Sequence, residues 1–349
     1  MHKQKLIGAS VAAVGLIFAG LAFGAGGVTL NGSGSTLSKP FQEVAIEQFK
    51  KNHKDITVNY GGGGSGKGRQ DLADMVVDFA GSDSPFKPSE AAKAKGGAML
   101  YFPVLLSPIA VTYNVGGLDK LQLSAPTIAK IFQRDIKKWS DPAIAADNPG
   151  AKLPDTAIVV AHRADGSGTT QNFTEYLNTA AKKDWKLKSG STVEWPSDTQ
   201  AGQGNGGVAQ IVKSTKGAIG YVDLSDAKAS RLKFAAIKNR SDKYIEPSAA
   251  AASAAGEGIQ VKDDLVFSAI DAKGDQAYPI TAQTWVIVYA KQADQAKGDA
   301  LKTYLTYLLK DGQKLLPEID YAPLPKGLQE RALKQVDKIK GAAHASLTP

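Results

Sequence analysis

The chain has 349 residues, with 42 Lys and Arg against 34 Asp and Glu and a formal charge of +8. It contains no cysteine, which excludes disulfides, thiolate metal sites and a thiol nucleophile. The basic residues are scattered in small groups such as Lys50-Lys51 and Lys137-Lys138, without an aromatic-interleaved basic stripe, which argues against nucleic acid as a partner.

The chain opens with His2, Lys3 and Lys5, followed by an uncharged run of apolar and small residues from Leu6 to Ala25. A basic start, an apolar middle and a small-residue exit predict a secretory signal peptide over residues 1–25, cleaved between Ala22 and Gly26. The competing reading is a membrane anchor, since a run of about 20 residues can span a bilayer. The Ala and Gly content of the run, and the lack of a basic cluster between Ala25 and Asn31, favour cleavage. Loss of Lys3 and Lys5 leaves a formal charge of +6, a mild field that favours small anions. Roughly 320 mature residues suffice for one large or two ordinary domains. An exported chain with no cysteine for lipid attachment is expected in a bacterial periplasm.

In chain order, Thr29-Leu30 predicts a short strand, and Asn31 to Thr36 a donor-rich loop. A helix follows, with Ser38 as its cap, Pro40 in its first turn and Phe41, Val44, Ala45 and Phe49 at helical spacing. Ile56 to Tyr60 alternates as a strand and enters the glycine run Gly61 to Gly68, after which Leu72, Met75 and Val76 predict a helix. Gly61 to Lys67 matches the first seven positions of a nucleotide P-loop. The eighth should be a magnesium-binding hydroxyl and is Gly68, so the match does not predict ATP hydrolysis. Val77 to Phe86 predicts a short strand ending in a turn with Asp83 at its tip. Tyr101 to Asn114 reads as buried extended chain, and Pro126 to Phe132 as a helix.

Arg163, Asp165, Gly166, Ser167, Gly168, Thr169 and Thr170 then follow the apolar run Ile158 to Val160 and precede a helical pattern through Tyr176 and Leu177. Strand, small-residue loop and helix start make an anion site, because the first N–H groups of a helix are unpaired and carry its positive dipole end. Arg163 adds a bidentate fork suited to a tetrahedral oxyanion, and Asp165 is placed to orient it. A further glycine loop, Gly202 to Gly207, opens a helix over Val208 to Val212. Gly217 to Val222 predicts a strand, and Pro247 to Gly256 a short helix capped by Ser248. Strand character returns at Tyr278 to Thr281 and Thr284 to Tyr289. A helix through Leu301 to Leu308, a turn over Asp320 to Pro325 and a last helix over Leu328 to Ile339 complete the chain. Strands alternating with helices predict an α/β architecture.

Asp83 carries a specific expectation. A carboxylate beside a bound anion repels it unless the anion retains a proton to donate, which phosphate does at neutral pH and sulfate does not. No nucleophile and base stand at a shared spacing, His162 reads as a structural imidazole, and no His and carboxylate spacing suggests zinc.

Six segments in register resemble the periplasmic phosphate-binding proteins of phosphate-specific ABC importers. They are Gly32 to Thr36, Val58 to Tyr60 with Ser65, Val77 to Asp83, Arg163 to Thr169, Gly217 to Val222 and Asp320 to Pro325. The resemblance implies a two-domain, class II solute-binding fold with a hinged cleft. The first domain would comprise residues 26–106 and 286–349, and the second residues 107–285. It implies that Thr36, the Leu37 backbone N–H, Ser65, Arg163, Ser167, Gly168 and Thr169 hold phosphate oxygens. Asp83 would accept the phosphate proton, and Asp165 would orient Arg163. Leu37 stands where the family usually has Phe, and the reach of Lys67 is open at this stage. The implied partners are inorganic phosphate and a membrane permease with its cytoplasmic ATPase. No cofactor or metal is expected, and the protein is expected to be a monomer. The alternatives are a receptor for sulfate or another oxyanion, and an exported phosphoester hydrolase that uses the same loops as an oxyanion cradle.

Overall fold

The computed structural model describes residues 27–342, so the predicted signal peptide lies outside the described residues. Among the described residues, nine strands form one sheet. Eight pair in the order Ile56–Gly61, Val28–Gly34, Phe79–Ser82, Thr281–Tyr289, Met99–Tyr113, Ala218–Asp223, Val159–Arg163 and Gln200–Gly202, and Lys233–Phe234 adds beside Met99–Tyr113. The first three strands run parallel, as do the last three. The two central strands are antiparallel to each other and to their outer neighbours. Two parallel units are thus joined by an antiparallel pair. Parallel neighbours need crossover connections, and here the crossovers carry the glycine loops.

The Met99–Tyr113 strand belongs to both units. It pairs with Thr281–Tyr289 through Pro108 and with Ala218–Asp223 from Ile109 onward. Its run of Val, Leu, Ile and aromatic residues lacks alternation because both faces are covered, as in other doubly packed strands. Pro103 has no N–H for the ladder, and the register slips beside it, leaving Val104 unmatched opposite Thr284 and Trp285. All nine residues of Thr281–Tyr289 are buried. One large apolar core spans both units, and a smaller one packs the Gly204–Ser214 helix through Val208, Ala209 and Val212 onto Ala161 and Val222.

Local expectations are corrected in four places. The helix after the second glycine loop is Ser65–Ala73, beginning inside the glycine run and ending before Met75. Met75 adopts φ 62 and closes the helix, its N–H bonded to Leu72 O and that of Val76 to Asp71 O. This paired termination normally uses glycine, and it leaves Met75 and Val76 exposed. The helix at Gly204–Ser214 also starts within its glycines. Ser38 occupies the cap position of the Lys39–Asn52 helix without a side-chain cap bond, because its backbone is αR rather than extended. The last helix is Lys326–Gln335, tightening to a 3-10 turn at Val336–Lys338. Ser248 does cap Ala249–Gly256, accepting from Ala251 N at 3.1 Å.

Candidate functional site

The glycine loops leave the C-terminal ends of parallel strands in both units, the edge of an open α/β sheet where ligands are usually received. They meet at close range. Gly66 N donates to Gly166 O at 2.8 Å, and Asn205 N donates to Thr36 Oγ1 at 3.3 Å. Asn172 Nδ2 donates to Asp83 O at 2.7 Å, and Gln283 Nε2 in turn donates to Asn172 Oδ1 at 2.9 Å. Two glycines permit this approach. A Cβ on Gly168 would stand 2.3 Å from Ser65 Oγ and 2.6 Å from Asp83, and one on Gly64, at φ +92, would stand 2.1 Å from Asp165 Oδ2.

Asp83 is buried among hydroxyls. Ser35 Oγ lies 2.6 Å from Oδ1 and 2.8 Å from Oδ2, Thr284 donates to Oδ1 at 2.7 Å, and Ser65 donates to Oδ2 at 3.2 Å. Burial pushes the Asp83 carboxyl above its usual range. The hydroxyls and the charge of Arg163 pull it back without cancelling that effect.

Arg163 and Asp165, both buried at their side chains, form a two-pronged pair. Nε donates to Oδ1 at 2.8 Å, and the second prong joins Nη2 to Oδ2. The remaining amino group, Nη1, donates to Asn205 Oδ1 at 2.9 Å and to Thr169 Oγ1 at 3.3 Å. Burial raises the Asp165 carboxyl, but its bond to Arg163, the guanidinium charge and the Gly204 N–H outweigh burial and hold it below the usual carboxylate range. The pair therefore stays ionised, which fixes a cation at the site.

Ser167 caps the Gly168–Ala180 helix by accepting from Thr170 N at 3.0 Å. Its own hydroxyl proton is therefore turned away from the helix and can be donated outward. Gly168 and Thr169 are the first two helical residues, so their N–H groups have no intrahelical acceptor. Leu37 is buried at the entry of the Lys39–Asn52 helix, where Tyr321 Oη donates to its carbonyl at 2.7 Å. Thr36, Leu37, Ser65, Asp83, Arg163, Asp165, Ser167, Gly168 and Thr169 thus all lie on the converging loops.

Lys67 turns aside to Asp71 at 2.7 Å, and Asp71 also accepts from Ser33 Oγ. His162 is held between Arg163 O and Thr199 Oγ1, each at 3.0 Å, and stacks on Trp195, which fits the structural reading. Four functional side chains were missed by sequence reasoning. Ser35 and Asn205 lay inside glycine loops already singled out, whereas Asn172 and Thr284 carried no local signal. A cavity of about 400 Å³ adjoins the site, bordered by Asp83, Asn172 and Gln283 together with Arg69, Phe86 and Glu175. The Arg69 guanidinium is already committed to Glu90, Ser82 and Ser84.

Residues 22–311 match the family model described as a PBP superfamily domain. The "Phosphate-binding protein PstS" of Xylella fastidiosa is 36% identical over 321 residues, covering 89% of this chain and 84% of the relative. Its namesake from Methanocaldococcus jannaschii is 36% identical over 341 residues, covering 90% and 87%. "Phosphate-binding protein PstS 3" of Mycobacterium leprae is 38% identical over 315 residues, covering 87% and 85%. Among solved structures, a high-affinity periplasmic phosphate-binding protein (PfluDING) with bound phosphate superposes with a TM-score of 0.73 at 21% identity, covering 87% of this chain and 92% of that one. A substrate-binding protein from Clostridium perfringens gives 0.64 at 17% identity, covering 85% and 100%. These likenesses show the two-domain fold of periplasmic binding proteins. On the family model and on its identity with relatives over most of their length, the chain belongs to the PstS phosphate-binding proteins of the PBP superfamily.

Proposed function

We propose that this protein captures inorganic phosphate and delivers it to an ABC-type phosphate importer, acting as a binding protein without catalysis. The observation that carries the reading is a single buried cluster in which a fixed guanidinium, hydroxyls from several loops and the Asp83 carboxyl converge from both units of the sheet. Thr36, Ser65, Ser167 and Thr169 supply hydroxyls, and Leu37, Gly168 and Thr169 supply backbone N–H groups. Arg163, oriented by Asp165, supplies the cation. Asp83 accepts a hydrogen bond from the proton that phosphate keeps and sulfate lacks, so a sulfate oxygen there would face the carboxyl oxygens with no hydrogen between them.

The domains are residues 26–106 with 286–349, and 107–285. The exchange of strand partners between Pro108 and Ile109 supports a hinge there. Closure brings the Ser65 and Asp83 loops against those of Ser167 and Asn205, replacing water around the anion by preorganised donors. The mature protein works as a monomer in the periplasm after removal of residues 1–25. The permease with its cytoplasmic ATPase receives the closed form.

Calorimetric titration of the purified, ligand-stripped mature protein with phosphate and with sulfate tests this. Strong phosphate heats and weak sulfate heats are expected. Absence of phosphate binding would reject the function, and equal binding of the two anions would reject the role of Asp83.

A further inference from the structure

We infer that Asn205 is a second positioning residue of the site, beside Asp165: it holds the Arg163 guanidinium and the Thr36 hydroxyl in the orientation an anion needs. This rests on the phosphate reading above.

Asn205 is fully buried, and three of its polar groups are committed. Its backbone N–H donates to Thr36 Oγ1 at 3.3 Å, its Oδ1 accepts from Arg163 Nη1 at 2.9 Å, and its Nδ2 donates to Asp223 Oδ2 at 2.9 Å. The direction of the amide follows from its neighbours. Reversed, it would set an amino group against a guanidinium and an oxygen against a carboxylate. Thr36, in accepting from Asn205, keeps its own proton free for an acceptor elsewhere. A group that ligates no phosphate oxygen thus sets the donor direction of two that do.

Asn205 is itself held in place. Asp223 Oδ1 accepts from Asp226 N at 3.1 Å and lies 3.2 Å from Tyr321 Oη, the same hydroxyl that donates to Leu37 O. Arg163, Asn205 and Asp223 come from the Val159–Arg163 side of the sheet, and Thr36 and Leu37 from the Val28–Gly34 side. Tyr321 reaches the network from the C-terminal part of the chain. The network therefore ties the cation to the neutral donors of the first loop, and closing the cleft completes both placements in one step.

The test is phosphate calorimetry on the mature protein and on Asn205→Ala, Asn205→Asp, Asp223→Asn and the Asn205→Asp/Asp223→Asn double variant. Asn205→Ala is expected to weaken phosphate binding by about 10- to 100-fold, as for loss of a buried bond to a charged group. Asn205→Asp replaces the Nδ2 donor by an oxygen facing Asp223 Oδ2 and weakens binding as well. The double variant restores a donor facing an acceptor, with the two roles exchanged between positions 205 and 223, and is expected to recover to within roughly fivefold of the wild type. Because Asp preserves the size of Asn, the Asp variants carry the test even if Asn205→Ala fails to fold. Thermal melts of the unliganded variants separate positioning from loss of fold. A double variant that binds no better than Asn205→Asp, or an Asn205→Ala within twofold of the wild type, overturns the assignment alone. A wild type that fails to bind phosphate overturns the phosphate reading and this assignment with it.

Discussion

Thr284 donates its hydroxyl to Oδ1 of Asp83 at 2.7 Å, from a position 201 residues further along the chain. The contact joins a central strand of the sheet to the proposed proton acceptor of the site. Burial opposes the ionisation of Asp83, so each hydroxyl that favours its charged form matters to binding.

Replacing Asp83 by Asn should relax discrimination, narrowing the phosphate-to-sulfate affinity ratio by at least about tenfold, as expected when a charged partner is exchanged for a neutral one. A second consequence concerns stability. The folded-state carboxyl of Asp83 lies above its unfolded value, so the unliganded wild type loses stability as pH rises from about 3.9 through that raised value. Melts of Asp83→Asn over the same range should lack that component. Parallel pH curves for the two proteins would refute the prediction.

Arg163→Ala should weaken phosphate binding by about 100-fold or more, because it removes a desolvated charge and leaves Asp165 buried without its partner. Calorimetry checks this directly. Unchanged affinity would remove Arg163 from the site.

Asp165 behaves oppositely to Asp83 with pH. Its folded-state carboxyl is held below the unfolded value, so its contribution is present above about pH 3.9 and is lost as pH falls through the lower folded value. Asp165→Asn should cost about 2 kcal/mol at pH 7 and should flatten the acid limb of the stability curve. Denaturant melts between pH 2 and pH 7 would show whether the two proteins converge in acid.

Two glycines should respond in opposite ways to alanine. Gly168→Ala drives a methyl to 2.3 Å from Ser65 Oγ and should hold the loops apart, lowering phosphate affinity by about tenfold or more for the loss of at least one charged contact. Gly206, in the Gly204–Ser214 helix, has open space where its Cβ would stand, and alanine there should stabilise by about 0.5 kcal/mol. Binding and melting measured on both variants would expose an error in either half of the pair.

The features legible in the chain were those built over a few residues. Arg163 and Asp165 stand two apart, close enough to pair within one loop, and Ser167 precedes the helix that it caps three residues on. Apolar runs marked the central strands, and glycine loops after short strands marked where an anion would be held. Helix limits were less legible. Glycine propensity predicted loop at Gly66 to Gly68 and Gly204 to Gly207, yet these residues lie in helices; a Cβ on Gly66 would stand 3.0 Å from Gly166 O and one on Gly68 2.5 Å from Gly34 Cα, so the close packing of the loops accounts for glycine at those two helical positions.

Thr284, Asn172, Asn205 and Tyr321 acquire their roles only from sheet order and register. Nothing within a few residues of Thr284 distinguishes its hydroxyl from any other in a strand; the pairing of Thr281–Tyr289 with Phe79–Ser82 sets it beside Asp83. Tyr321 meets Leu37 across 284 positions, a distance over which spacing along the chain carries no directional information. Chemistry confined to one turn is written in the order of residues, whereas chemistry shared between turns exists only once the strands beneath them have chosen their neighbours.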